Sequence, residues 1–244
     1  MRLLESHPRR ASLEVRHRLV EGYRMGLVAE AGLIAHGRGE AFDYLLGERT
    51  LREAREAEEA AVAALLLAEK PVISVNGNVA ALSSGEIVRL AETLDARVEV
   101  NLFYRTKKRE RVIANALRDA GAGRVYGLAK RHKIPGLGSE RRNVDRALWE
   151  ADTVLLALED GDRTEALKRM GKRVIAVDLN PLSRTAQKAD ITIVDNLVRA
   201  YPNMIMLSKR LKNKSPAYLD NILKKFDNRD NLKSVEKRIR AAIL

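Results

Sequence analysis

The chain divides into two patterns of apolar and polar positions. Residues 8–70 are dominated by strong helix formers, ending in EAREAEEAAVAALLLAE before Pro71, and the pattern predicts a mostly helical segment. Thr50 and Glu53 have capping-box spacing, which places a helix start at this point. From Pro71 short β-branched runs alternate with helical stretches. PVISV is followed by Asn76, Gly77 and Asn78, then by a helix opening at the Ser83/Glu86 pair and running through Leu94. RVEVNLF precedes KKRERVIANALRDAGA, RVYGL reads as a short strand, and DTVLLAL precedes EDGDR and a helix ending near Gly171. VIAVDL and ITIV are the last strands.

Strands separated by helices of ten or more residues predict parallel pairing, and near-continuous Val/Ile/Leu runs predict strands covered on both faces. The fold class expected is α/β: a Rossmann-like, mostly parallel sheet with helices on both faces, plus N- and C-terminal helical segments. The expected division is a helical segment over residues 1–70, the α/β core over 71–208 and a last helical segment over 209–244. Residues 196–212 and 215–243 read as helix, with Ser215 as N-cap and Pro216 at the first helical position. There is no internal repeat.

Charge adds a preference for partners. The 244 residues carry a net charge of +12, which favours anions, either a nucleic acid or a small substrate bearing phosphates. Aromatic residues are only 4%, which supplies a base-stacking surface poorly. The absence of cysteine excludes disulfides and thiolate metal sites, and the four histidines lack metal-ligand spacing. No apolar run is long enough to span a bilayer, and the charged N-terminus lacks a signal-peptide core, so a cytoplasmic protein is expected. The abundance of Glu, Lys and Arg fits a thermophilic source.

Ligands in open α/β sheets sit beyond the carboxyl ends of the strands, which directs attention to the residues there. In DLNPLSRTA, Asp178 is placed to hold a ribose or a magnesium-bound water, Asn180 offers a donor and an acceptor, and Arg184 forks onto phosphate. The competing reading has equal weight: Asp178 and Asn180 satisfy local backbone donors while Ser183 caps a helix. Gly37 and Gly39 flank Arg38 ahead of an expected helix start, an arrangement suited to an anion, with a flexible hinge as the alternative. Asn76 and Asn78 around Gly77 read first as a turn and second as substrate amides. Asn101, Tyr104 and Arg105 leave the second strand. Of that segment Arg105 is expected in the pocket, and residues 107–111 on a solvated helix start. Asp160 and Asp162 admit a magnesium role, against a turn in which Asp162 caps the next helix. His132, in the Gly/Pro-containing basic loop 129–143, reads as a surface residue.

The strings SHPRRASLEVRHRLVEG, AGLIAHGRGEAFDYLLGERT, KPVISVNGNVAAL, EVNLFYRT, LALEDGDRTEALKRMGK, VIAVDLNPLSRTAQKADITIVDN and LVRAYPNM run in order from Ser6 to Met204. Together they resemble the archaeal phosphopantothenate synthetases, or 4-phosphopantoate–β-alanine ligases. The resemblance implies a homodimeric Rossmann-like enzyme of coenzyme A biosynthesis. Such an enzyme uses ATP with Mg2+ to join 4-phosphopantoate to β-alanine through an acyl-adenylate, releasing AMP and diphosphate.

The resemblance assigns ATP to Arg16, Arg38, Asp178, Leu179, Asn180, Arg184, Thr185, Asn196 and Leu197. Within it, Arg38 and Arg184 are the candidate catalytic pair on the triphosphate, and Asn76, Asn78, Asn101 and Arg105 are the candidate phosphopantoate set. No metal ligand is assigned, and no family string covers loop 129–143 or the tail from Lys209. Two other classes compete: a basic nucleic-acid-binding module, and a nicotinamide-dependent dehydrogenase weakened by the missing glycine fingerprint.

Overall fold

A computed structural model describes residues 5–241. Three helices lead, as the composition predicts: α1 (Arg10–Arg24), α2 (Glu30–Leu45) and α3 (Arg52–Leu67). Strands and helices then alternate as β1 (Pro71–Val75), α4 (Gly77–Leu94), β2 (Arg97–Val100), α5 (Lys107–Asp119) and β3 (Val125–Tyr126). A small antiparallel pair follows, β4 (His132–Lys133) and β5 (Asn143–Val144), joined through a 3-10 turn at Glu140–Arg142. The chain continues through α6 (Arg146–Glu150), β6 (Thr153–Ala157), α7 (Gly161–Arg169), β7 (Arg173–Val177), α8 (Arg184–Lys188), β8 (Ile191–Ile193) and α9 (Leu197–Leu211). Two helices, α10 (Pro216–Lys225) and α11 (Asn228–Ala241), complete it.

Six strands form one sheet in the order β3-β2-β1-β6-β7-β8, every neighbouring pair parallel. The connection therefore reverses direction between β1 and β6. That is the topological switch point, where the exits of two adjacent strands open a crevice.

Strand side chains divide between two cores with the period of two that a pleat imposes. Ile73, Val75, Leu155, Ala157, Ile175 and Val177 join the core shared with α1, α3, α4, α5 and α9. Val72, Val154, Leu156, Val174 and Ala176 join the opposite core with α6 and α7. Ile134 and Leu137 of the basic loop 129–143 also bury themselves in that second core, so hydrophobic burial anchors the loop to the sheet.

Several local expectations are corrected. Gly37, Arg38 and Gly39 do not precede a helix; they lie in the middle of α2. Leu51 rather than Thr50 occupies the N-cap of α3, and the Thr50 hydroxyl donates to Asp195 Oδ2 at 2.6 Å. A buried carboxylate needs donors, and that need outweighs a local cap. The helix after β1 starts at Gly77, where Asn76 Oδ1 accepts from Val79 N at 3.1 Å. Ser83 (φ −151°) marks a kink inside this helix instead of its beginning. Asp160, not Asp162, caps α7, accepting from Arg163 N at 2.9 Å. The final helical stretch is two helices broken at Phe226. The Ser215 cap and the Pro216 position are as expected. No helix among the described residues is long and apolar enough to cross a membrane.

Candidate active site at the switch point

A cleft of about 680 Å3 opens at the switch point. It is bounded by the exits of β1, β2, β6 and β7 and by α2. Close backbone approach shapes it. A Cβ on Gly77 would collide with the Leu27 carbonyl oxygen, and one on Gly161 would sit 2.5 Å from Arg184 Cβ. Glycine therefore lets α4 pass under the α1–α2 connection, and lets the start of α7 meet α8.

Three arginines line this cleft: Arg38, Arg109 and Arg184. Arg38 is exposed on α2, and Glu40, two residues further on, is already paired with Arg9 (2.9 Å) and Arg16 (2.7 Å). Arg184 is exposed and paired with Asp162 (2.9 Å) and Glu165 (3.2 Å). An anion entering the cleft can draw it away cheaply, since exposed pairs contribute little. Arg109 is more deeply set, donating from Nη2 to the Leu27 carbonyl at 2.9 Å and from Nη1 to the Tyr104 carbonyl at 2.5 Å. Burial lowers its pKa.

Three acidic residues also line the cleft: Glu159, Asp160 and Asp178. Asp178 Oδ1 accepts from Asn180 N at 3.0 Å and Oδ2 from Ser183 Oγ, while Ser183 Oγ caps α8 by accepting from Ala186 N at 2.9 Å. The local-turn reading of this motif is thus realised, and Asp178, Asn180, Arg184 and Thr185 still line the cleft. Burial raises the Asp178 pKa. Asp160 and Asp162 are engaged by Arg141 at 3.2 and 2.7 Å, and Arg141 also stacks over the Phe103 ring at 4.7 Å. Among the described residues, no group of three His, Cys, Asp or Glu side chains is arranged to hold a metal.

The remaining candidates separate. Asn78 lines the cleft and donates to the Gly32 carbonyl at 2.8 Å. Asn76 also lines it, but its amide donates to the carbonyls of Ala157 (2.8 Å) and Leu158 (3.2 Å), tying the exit of β1 to that of β6. Leu179, Asn196 and Leu197 border a space of about 10 Å3 with His36. It adjoins the cleft through Leu158, which lines both.

Arg16 lies outside the cleft lining, forked onto Glu40. Asn101 and Arg105, expected in the pocket, are also outside it. Asn101 is fully buried and accepts from Lys130 Nζ at 3.2 Å. Arg105 is held by Glu110 (2.7 Å) and Glu140 (2.5 Å). Both residues serve buried or nearby charges, which take priority over solvent-facing ligands when unpaired burial is costly.

Residue-by-residue reading of the sequence missed Arg109, Glu159 and Lys130. The signal for Arg109 lay in helical spacing, because it shares a face with Ile113 and Leu117, both fully buried, whereas Lys107, Lys108 and Arg111 are exposed as expected. Lys130, counted among the surface charges of its loop, is buried with Nζ on the Val100 carbonyl at 2.8 Å, and burial pushes its pKa down to about 8. No local pattern announces this. His132 is half-buried and stacks on Trp149, ring centroids 5.0 Å apart.

A parallel sheet with this strand order, and a cleft at its switch point lined by three arginines, defines a Rossmann-like α/β protein suited to a phosphorylated ligand. The sequence model of the phosphopantothenate/pantothenate synthetases matches residues 53–242. A 4-phosphopantoate–β-alanine ligase of Thermococcus kodakarensis is 56% identical over 238 residues, 97% of this chain and 91% of that protein. A 4-phosphopantoate–β-alanine ligase of Methanosarcina mazei is 50% identical over 227 residues, 93% and 89% of the two chains. The chain belongs to the phosphopantothenate/pantothenate synthetase family.

Proposed function

We propose that this protein is an ATP-dependent carbon–nitrogen ligase that condenses 4-phosphopantoate with β-alanine to 4′-phosphopantothenate, a step toward coenzyme A. The observation that carries the reading is the meeting of Arg38, Arg109 and Arg184 with the β1, β6 and β7 exits in one cleft. It is joined by the ligase names of relatives that cover nearly the whole chain. A volume of about 680 Å3 accommodates a nucleotide beside a second small acid. The relatives' names give no support to the nucleic-acid reading.

The nucleotide is assigned to the β7 exit, with Asp178, Asn180 and Thr185 near the ribose and phosphates, and with Leu179, Asn196, Leu197 and the adjoining space beside them. Arg38 and Arg184 clamp the triphosphate. The 4-phosphopantoate is assigned to the β1 and β2 side, where Asn78 and Arg109 line the cleft. Its carboxylate attacks the α-phosphorus, diphosphate leaves, and the amine of β-alanine then displaces AMP. Catalysis rests on placement and on arginines preset where phosphate charge develops. Mg2+ is assigned no protein ligand: the described residues offer no cage for it, and this cation commonly binds through substrate phosphates while keeping its waters. A homodimer is part of the proposal.

Incubation with ATP, magnesium chloride, 4-phosphopantoate and β-alanine is expected to yield AMP and phosphopantothenate in equal amounts. ADP in place of AMP, or no β-alanine-dependent product, would overturn the assignment.

A further inference from the structure

The proposed reaction needs a step that none of the residues assigned above performs. β-Alanine in neutral water carries an ammonium group, and its nitrogen has no lone pair until a proton leaves. A positioned base near the acyl carbon is the usual remedy. Of the three acidic residues that line the cleft, Asp178 spends both oxygens on Asn180 N and Ser183 Oγ. Asp160 caps α7 and is ion-paired with Arg141.

Glu159 differs from both. Its Oε1 accepts a single backbone hydrogen bond, from Asp160 N at 3.2 Å. Its Oε2 lies 3.4 Å from Arg163 Nε, longer than a charge-assisted hydrogen bond. Arg163 is itself only 1% exposed, with Nε and Nη1 lacking hydrogen-bond partners. The side chain, 6% exposed, is therefore buried without a short hydrogen bond from a charged donor.

The backbone around it is held firmly. Leu158 adopts a left-handed conformation (φ +50°), which costs a non-glycine residue energy and recurs at functional sites. The Leu158 carbonyl accepts from Asn76 Nδ2, and the Glu159 carbonyl accepts from Thr185 Oγ1 at 2.7 Å. The turn thus fixes Glu159 at the centre of the switch point while leaving its side chain only weakly bonded.

We propose that Glu159 is the general base that takes a proton from the β-alanine ammonium. This rests on the ligase reading above. The carboxylate removes one N–H proton, and the freed lone pair forms the C–N bond at the acyl carbon. The C–O bond to the phosphate breaks, and its electron pair leaves with AMP. The second N–H proton passes to water, and Glu159 later returns its own proton to solvent. Burial outweighs the charge of Arg163, while Asp160 adds to it, and the carboxyl is pushed up to about 7. That lies near working pH, where a general base is most effective.

The test separates the two half-reactions in Glu159→Gln. Phosphopantoate-dependent exchange of diphosphate into ATP should fall far less than ligation does, and its persistence shows that the variant is folded. Ligation to β-alanine should fall by roughly two to four powers of ten, the usual range for a lost general base. Hydroxylamine, uncharged at neutral pH, should capture the acyl group equally well in both proteins. Unimpaired ligation, or exchange and ligation lost together, would overturn the role of Glu159. A wild-type protein lacking both exchange and ligation would instead overturn the ligase reading.

Discussion

Arg199 of α9 and Asp43 of α2, 156 positions apart in the chain, meet at 2.5 Å. The same guanidinium holds Asp195 at 2.5 Å, and both carboxylates are almost wholly buried. Replacing Arg199 with Met would leave two buried carboxylates facing each other without a cation. Removing one member of a buried pair is strongly destabilising, so Arg199→Met is expected to lose on the order of 3 kcal/mol. Thermal melts check this, and a melting temperature equal to that of the wild type would contradict it.

Glu58 lies beside this network, accepting from Asn203 Nδ2 at 3.1 Å, and burial raises its pKa to about 8. A carboxyl raised above its unfolded value binds its proton more tightly in the folded state. Its contribution is complete at acid pH and is lost as pH rises from about 4.5 through about 8. Glu58→Gln keeps an acceptor for Asn203 but cannot ionise. Its stability should exceed that of the wild type at pH 8.5, with the advantage vanishing near pH 4. Parallel melting curves across that range are the measurement.

The pairing of Arg184 with Asp162 and Glu165 leads to a graded outcome at the triphosphate clamp. Arg184→Ala should lower ligation by roughly two to three powers of ten, the loss typical of one missing transition-state donor. Arg184→Lys restores charge without the fork and should recover only part of it. Melting temperature should barely change, because both pairs are surface pairs. Full activity in the alanine variant would remove Arg184 from the clamp.

Gly161 permits the contact between α7 and α8. In Gly161→Ala the new Cβ would be 2.5 Å from Arg184 Cβ, so the start of α7 must shift. Overpacking of this kind costs about 1–3 kcal/mol. Because Asp160, Gly161 and Arg184 all line the cleft, KM for ATP should rise as well. A substitution that changed neither quantity would show that the junction tolerates movement.

Loop 129–143 shows how far local reading reaches. Its basic composition predicts a solvated surface, and Arg131 and Lys133 are indeed exposed. Lys130, between Ala129 and Arg131, is instead buried against the Val100 carbonyl, and Arg141 bridges Phe103 to Asp160 and Asp162. Nothing in the order of charges separates Lys130 from its neighbours.

The amino-acid order alone determined what short-range forces decide. Side-chain periodicity settled the alternation of strand and helix, and the runs of Val, Ile and Leu required a sheet covered on both faces. The Asp and Asn residues after β7 and β8 marked the strand exits, and Ser183 and Ser215 marked helix starts, because each acts within a few residues of itself. Tertiary packing decided the rest. It placed Arg38 within a helix, admitted Arg109 to the cleft, withdrew Asn101 and Arg105 into the scaffold, and raised the carboxyl of Glu159. Those outcomes depend on desolvation and on partners tens of residues away, and such interactions exist only once the chain has closed around them.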